Sequence, residues 1–245
     1  MCLIAFAWQQ VPNTPLILTG NRDEFFARPT QSAHWWEDNP NIFAGKDKKA
    51  GGTWLGINKE GKIAALTNFR RPDTQSYLIS RGHLIRDFLA SNLTAEAFSS
   101  ELRSQQNEYA GFNLLLYDGA HLICHSNRDD ADPQPLPPGI YGLSNHLLDT
   151  PWPKVEKVKS GLQQLINNGD THTETPYMTL FADSRKAADN RLPETGMGPE
   201  IEKELSSVFI RGKHYGTRAT TWLSLSSEGD IKLVEQNHLA TGPGE

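Results

Sequence analysis

The 245-residue chain has a formal charge of -5, with 37% hydrophobic and 22% charged residues. This composition can bury a core and fits one large folding unit or two small ones. An acidic balance without any lysine or arginine run excludes a basic nucleic-acid surface. The two cysteines, Cys2 and Cys124, form no disulfide framework and no CxxC or CxxCH pair for zinc, redox exchange or covalent haem.

The chain opens Met-Cys-Leu-Ile-Ala-Phe-Ala-Trp. This run of about seven apolar residues is too short to span a membrane and no positive region precedes it, so a cytoplasmic address is expected. It reads as a buried strand over 2–8 that turns through Pro-Asn-Thr-Pro into a partner over 16–20. Removal of Met1 would give Cys2 a thiol and an α-amine on one residue, a nucleophile and base with reference pKa values of about 8.5 and about 8. The alternative is that Cys2 is a small hydrophobe opening the strand.

The second strand runs into Gly20-Asn21-Arg22-Asp23-Glu24, read as a charged turn. Residues 28–49 lack a sustained period and read as a long surface loop, with Trp35 and Trp36 exposed as the roof of a pocket or packed back on the sheet. Gly51-Gly52-Thr53-Trp54-Leu55-Gly56 and the run ending Thr67-Asn68 form a hairpin. Helical spacing of Leu84, Ile85, Phe88 and Leu89 predicts a helix capped by Ser80, with a second starting at Thr94. A hairpin over 112–126, with Cys124 buried in its second strand, a proline-rich crossing and a strand over 140–145 follow. Beyond them come a helix from about Pro153, short helices near 178–183 and 200–208, and a closing hairpin over 215–236 that carries Arg218. Strands separated by paired helices favour an α+β fold with antiparallel sheets, as a single domain over 1–245.

Asn21-Arg22-Asp23-Glu24, Gly51-Gly52-Thr53-Trp54-Leu55-Gly56, Thr67-Asn68 and Gly216-Thr217-Arg218 occur in that order. In these blocks the sequence resembles the NRDE family of the transport-and-Golgi-organisation type. That family is similar to cysteine N-terminal-nucleophile hydrolases of the choloylglycine hydrolase and penicillin V acylase branch. The resemblance implies a four-layer αββα sandwich of two antiparallel sheets. It also implies catalytic roles for Cys2, Arg22, Asp23, Glu24, Asn68, Asn145 and Arg218. Arg22 or Arg218 would favour the thiolate, Asp23 or Glu24 would orient the α-amine, and Asn68 and Asn145 would donate to an oxyanion.

The activity implied is hydrolysis of a non-peptide C–N bond in a small amphiphilic substrate, with no cofactor required. The family equally implies a second class, a non-enzymatic carrier of haem as ligand, with His34, His83, His125, His146 and His214 as imaginable axial ligands. No metal site, phosphate loop or serine-triad motif is read in the sequence.

Overall fold

In a computed structural model the chain forms two antiparallel sheets stacked between two helical layers. It describes residues 2–73 and 75–239, with Cys2 described by its main chain alone. Strands β1 (Cys2–Val11), β2 (Thr14–Phe25), β9 (Gly139–Leu143), β10 (Tyr215–Leu225) and β11 (Ile231–Asn237) make a five-stranded sheet in the order β11-β10-β2-β1-β9. Strands β3 (Thr30–Trp35), β4 (Ile42–Asp47), β5 (Leu55–Asn58), β6 (Ile63–Asn68), β7 (Phe112–Tyr117) and β8 (Leu122–Ser126) make a six-stranded sheet in chain order.

The near-continuous apolar run of β1 follows from burial on both of its faces. Ile4, Phe6 and Trp8 join Leu55, Ile57 and Leu115 between the sheets. Leu3, Ala5 and Ala7 pack instead with α3 (Pro153–Asn167) and α4 (Thr175–Phe181), through Val155, Val158, Leu162, Tyr177 and Phe181. On the outer face of the second sheet, α1 (Gly82–Ala90) and α2 (Ala95–Arg103) bury Leu84, Ile85, Phe88, Leu89 and Leu102. The expected four-layer αββα sandwich is therefore present, and α5 (Pro199–Glu204) completes its helices.

Three local expectations are corrected. Residues 28–49 are not a loop, because they hold β3 at the edge of the second sheet and β4 beside it. The irregular period has a physical cause, a break in the β3–β4 register between Gln31 and His34, since a bulge shifts side-chain alternation. Trp35 is 47% exposed, but Trp36 is 1% exposed and donates from Nε1 to the Ala44 carbonyl at 3.0 Å. Ser80 is not the N-cap of α1. That position is Arg81, whose side chain caps nothing, although the Gly82 N–H reaches Ser80 Oγ at 3.3 Å. Cys124 is only partly buried, against the inter-sheet core.

Of the glycines of the Gly51-Gly52-Thr53 block, Gly51 is favoured by its positive φ of 74° and Gly52 is required by close approach. The Thr53 N–H bonds the Gly82 carbonyl at 3.2 Å, and a Cβ placed on Gly52 would lie 2.5 Å from the Gly82 carbonyl carbon. Because the obstacle is backbone, Gly52→Ala is expected to lower stability by about 1 to 3 kcal/mol, the range for overpacking, read as a fall in denaturation midpoint with unchanged slope.

Candidate active site

The charged block after Gly20 is strand, not turn: Asn21, Arg22, Asp23 and Glu24 all belong to β2. An extended backbone sends successive side chains to opposite faces, and this divides the block into two layers. Asn21 donates from Nδ2 to the Phe181 and Val208 carbonyls, both at 2.9 Å, in the helical layer. Arg22 goes to the other face, its guanidinium 4.3 Å from the Trp54 ring centre. Asp23 returns to the helical side, where its Oδ1 accepts from Thr217 Oγ1 at 2.6 Å. The strand continues through this charged block because β10 pairs with it as far as Phe25, while β1 pairs with it up to Arg22.

Asp23 is 1% exposed. Burial pushes its carboxyl above the ordinary value, opposed by the positive charge of Lys154, by the Thr217 bond and by Arg70. Lys154 is itself buried and donates to the Leu205 carbonyl at 3.0 Å. Glu24 sits nearer solvent, accepting the Phe25 N–H at 2.8 Å and lying 3.7 Å from Arg28. Arg28 bonds mainly to Asp47, through Nε at 2.7 Å. Burial raises the Asp47 carboxyl, but the Arg28 bond and main-chain N–H groups outweigh it and hold the pKa low.

Cys2 pairs with Arg22 in the β1–β2 register. The Cys2 thiol and Met1 lie outside the described residues. At this end of the sheets Arg22, Glu24, Arg28, Trp54, Asn68 and Arg81 line a polar cavity of about 120 Å³. Glu24, Arg28, Asn68 and Arg81 also wall a wider groove of about 860 Å³, whose other walls include Phe25, Phe69, Ile201, Leu205 and His214. The arrangement joins a small charged chamber to an apolar trough.

Asn145 and Arg218 stand outside that chamber. Asn145, 0% exposed, donates from Nδ2 to the Asn68 carbonyl at 2.9 Å, and its own carbonyl accepts the Arg70 N–H at 2.6 Å. It thereby ties the end of β6 to the strand end of β9, across the two sheets. Arg218 lies in the β10 bulge and donates to the carbonyls of Phe25 at 2.9 Å, and of Phe26 and Arg28 at 3.1 Å. It fixes the chain leaving β2.

Sequence reasoning misses the residues that support these groups. Trp54 stands inside a glycine-rich block and Arg70 two positions after Asn68, and neither position signals a role. Arg70 pairs in the interior with Glu202 of α5, bonds Asn145 Oδ1 at 3.3 Å, and lies 4.7 Å from the Trp152 ring centre. No spacing in the sequence links Arg70 to Glu202, 132 positions away.

The five histidines do not converge. His34 bonds the Ser32 carbonyl, His83 that of Ala50, and His146 the Thr150 hydroxyl. His125 is 1% exposed beside Gln106 Oε1, and His214 lines the groove. Among the described residues no group of three or more His, Cys, Asp or Glu side chains could hold a metal ion.

Burial pushes His125 down to about 4 from its ordinary 6.5. The unfolded chain therefore binds a proton between those values that the folded chain refuses, so stability falls as pH drops from 6.5 toward 4. The loss from this group is about 3 kcal/mol at pH 4. Urea midpoints across that window should fall less steeply in His125→Gln.

A family model described as Transport and Golgi organisation 2 matches residues 1–240. The Transport and Golgi organization protein 2 homolog of Bos taurus is 33% identical, over 99% of this chain and 95% of the relative. Transport and Golgi organization protein 2 of Drosophila melanogaster is 27% identical, over 99% and 94%. Among solved structures, the C2A mutant of conjugated bile acid hydrolase from Clostridium perfringens aligns over 98% of this chain and 97% of its own, with a TM-score of 0.50 and 8% identity. At that identity the likeness is one of fold, and the fold is the N-terminal-nucleophile hydrolase sandwich. No helix among the described residues is long and apolar enough to cross a membrane.

Proposed function

Because the chain belongs to the Transport and Golgi organisation 2 family, on the scaffold of the N-terminal-nucleophile hydrolases, we propose that it is a Cys2-dependent amidohydrolase acting on a non-peptide C–N bond of a small amphiphilic molecule. The observation that carries this reading is the register of β1 on β2. It sets a buried guanidinium, Arg22 on Trp54, directly across from Cys2 at the head of the chamber. A positive charge there favours the thiolate over the thiol.

The chemistry follows from that pairing once Met1 has left. The α-amine takes the thiol proton, and the thiolate attacks the amide carbonyl. The carbon–nitrogen bond breaks as the α-ammonium returns its proton to the leaving amine. A water then attacks the thioester with the α-amine as base, releasing the acid and restoring the thiol. We take Asn68, which lines the chamber, as the oxyanion donor, and Asn145 serves it by holding its main chain.

Two acids have different claims on the amine. Asp23 is buried in the helical layer with Thr217 and Lys154, whereas Glu24 is engaged at the rim with Arg28. We assign the orienting role to Asp23, since an acceptor for a fixed ammonium gains from a dry, immobile setting. The apolar trough would hold the hydrocarbon part of the substrate while its amide enters the chamber.

A panel of N-acylated amines tests the reading by release of free amine. Turnover is expected with long acyl chains and lost in Cys2→Ala. A panel without turnover by protein of proven Cys2 N-terminus would overturn it. Haem carriage is the competing reading, and one observation favours it: His214, alone of the five histidines considered, lines the trough. A saturable Soret shift abolished by His214→Ala would support carriage instead.

A further inference from the structure

The helical layer over the five-stranded sheet holds a further cavity, of about 470 Å³, between the start of α3 and the chain that follows α4. It shares no lining residue with the chamber or the trough. Lys154, Lys157, Arg185, Lys186 and Arg191 line it, and Glu156 is the one acid among the lining residues. In a chain of formal charge -5, five cations around one cavity are a local reversal of sign.

The carboxylates bonded to this cluster do not balance it. Arg191 reaches Glu156 and Lys186 reaches Glu204, both at 2.5 Å, with all four side chains at least 38% exposed. Exposed pairs of this kind contribute little, so a stronger anion displaces them at small cost. Arg185 and Lys157 share Asp183: Arg185 Nη2 lies 2.6 Å from Oδ2, the oxygen that Lys157 Nζ also bonds. One carboxylate thus holds two cations side by side and neutralises one of them. The Arg185 bonds, and then Lys157, keep that carboxyl well below the ordinary carboxylate range. Lys154 is buried, donates to the Leu205 carbonyl and acts by its charge on Asp23.

The start of α3 points the same way. The helix begins at Pro153 with no side-chain cap from Trp152, and Glu156 is the one acid of its first turn. A helix N-terminus carries partial positive charge and disfavours cations. The sequence nevertheless places Lys154 in the first turn and Lys157 directly after Glu156. An anion in the cavity would meet the helix end and both lysines at once, which accounts for a local rule broken without gain to the fold.

We propose that this cavity binds a small phosphomonoester, with its phosphate received by Arg185, Lys157 and Arg191. Guanidinium groups match phosphate oxygens in pairs. A phosphomonoester carries close to two negative charges at neutral pH, near the positive excess that Glu156, Asp183 and Glu204 leave. The volume exceeds what bare phosphate needs and lies in the range of small-molecule sites. No aromatic side chain lines the cavity, so a sugar phosphate fits better than a stacked base. None of the exposed large hydrophobic side chains borders it, which favours a free ligand over a membrane surface.

The test titrates the whole protein with glucose 6-phosphate by calorimetry, in phosphate-free buffer at fixed ionic strength, with glucose as the neutral comparison. Saturable binding with a Kd of about 1 mM or tighter is expected for the phosphate ester and none for glucose. Arg185→Gln, at a side chain 82% exposed, should weaken binding about tenfold or more. Glu156→Gln removes the lining acid and should tighten it about threefold. Lys232→Gln, on β11 and outside the cavity, loses the same unit of charge and should leave the affinity unmoved.

Absence of saturation, an unmoved affinity in Arg185→Gln, or an equal loss in Lys232→Gln overturns the proposal. So does binding to vesicles carrying phosphatidylinositol phosphate without binding of the free sugar phosphate. If Arg185→Gln does not fold, Arg191→Gln carries the comparison by the same sign. None of these variants lies in the chamber, so the outcome is independent of the Cys2 reading.

Discussion

Arg70→Met is expected to lower the stability of the fold by about 3 to 5 kcal/mol, the usual consequence of removing one partner of a buried ion pair. Arg70 and Glu202 side chains are 2% and 3% exposed, so the carboxylate left behind has no water to turn to. Thr195 also donates to Glu202, but a hydroxyl does not neutralise a charge. Burial presses the Arg70 guanidinium below its ordinary pKa, and Glu202 opposes that pressure. Methionine retains the apolar contact with Trp152 while deleting the charge. The double replacement Arg70→Met with Glu202→Leu is expected to recover most of the loss, because the burial cost vanishes with both charges. Urea melts of the four proteins check this, and a double variant no better than Arg70→Met would contradict it.

The second large effect is chemical. Cys2→Ala is expected to reduce amide cleavage by at least about a thousandfold, with the melting curve unchanged. Arg22→Met should weaken cleavage most at low pH, where the thiolate depends on the guanidinium, and recover partly as pH rises past the ordinary thiol value near 8.5. Cys124 does not substitute, because the inter-sheet core packed against it, with Asp129 and Asp149 adding to the effect, pushes its thiol up to about 12.

The sandwich is readable in the sequence because its strands announce themselves. Residues 2–8, 63–68 and 112–117 are apolar over most of their length, as strands buried on both faces must be. The edge strand β3 and its neighbour β4 are not readable, because a bulge breaks the alternation that a half-buried strand would show. The block at Arg22 and Asp23 is conspicuous, but its geometry is not. Charged residues in sequence suggest a turn, yet here they are strand residues whose charges are met from two separate layers, Trp54 on one side and Thr217 and Lys154 on the other.

That alternation changes the chemistry available to each residue. Arg22 and Asp23 are adjacent in the chain and face opposite sides of the sheet, so they act on different groups. Resemblance alone gives Asn145 and Arg218 a part in substrate chemistry, whereas their hydrogen bonds tie down the main chain around Asn68 and Phe25. Glu202 carries no local signal, since it finds Arg70 only after the chain closes on itself.

The central claim is that Cys2 works as an N-terminal residue, and the intact mass of protein purified from its native host tests it most directly. Loss of Met1 should leave the mass about 131 Da below that of the full-length chain, with a free α-amine on Cys2. A mass showing Met1 wholly retained would contradict the account.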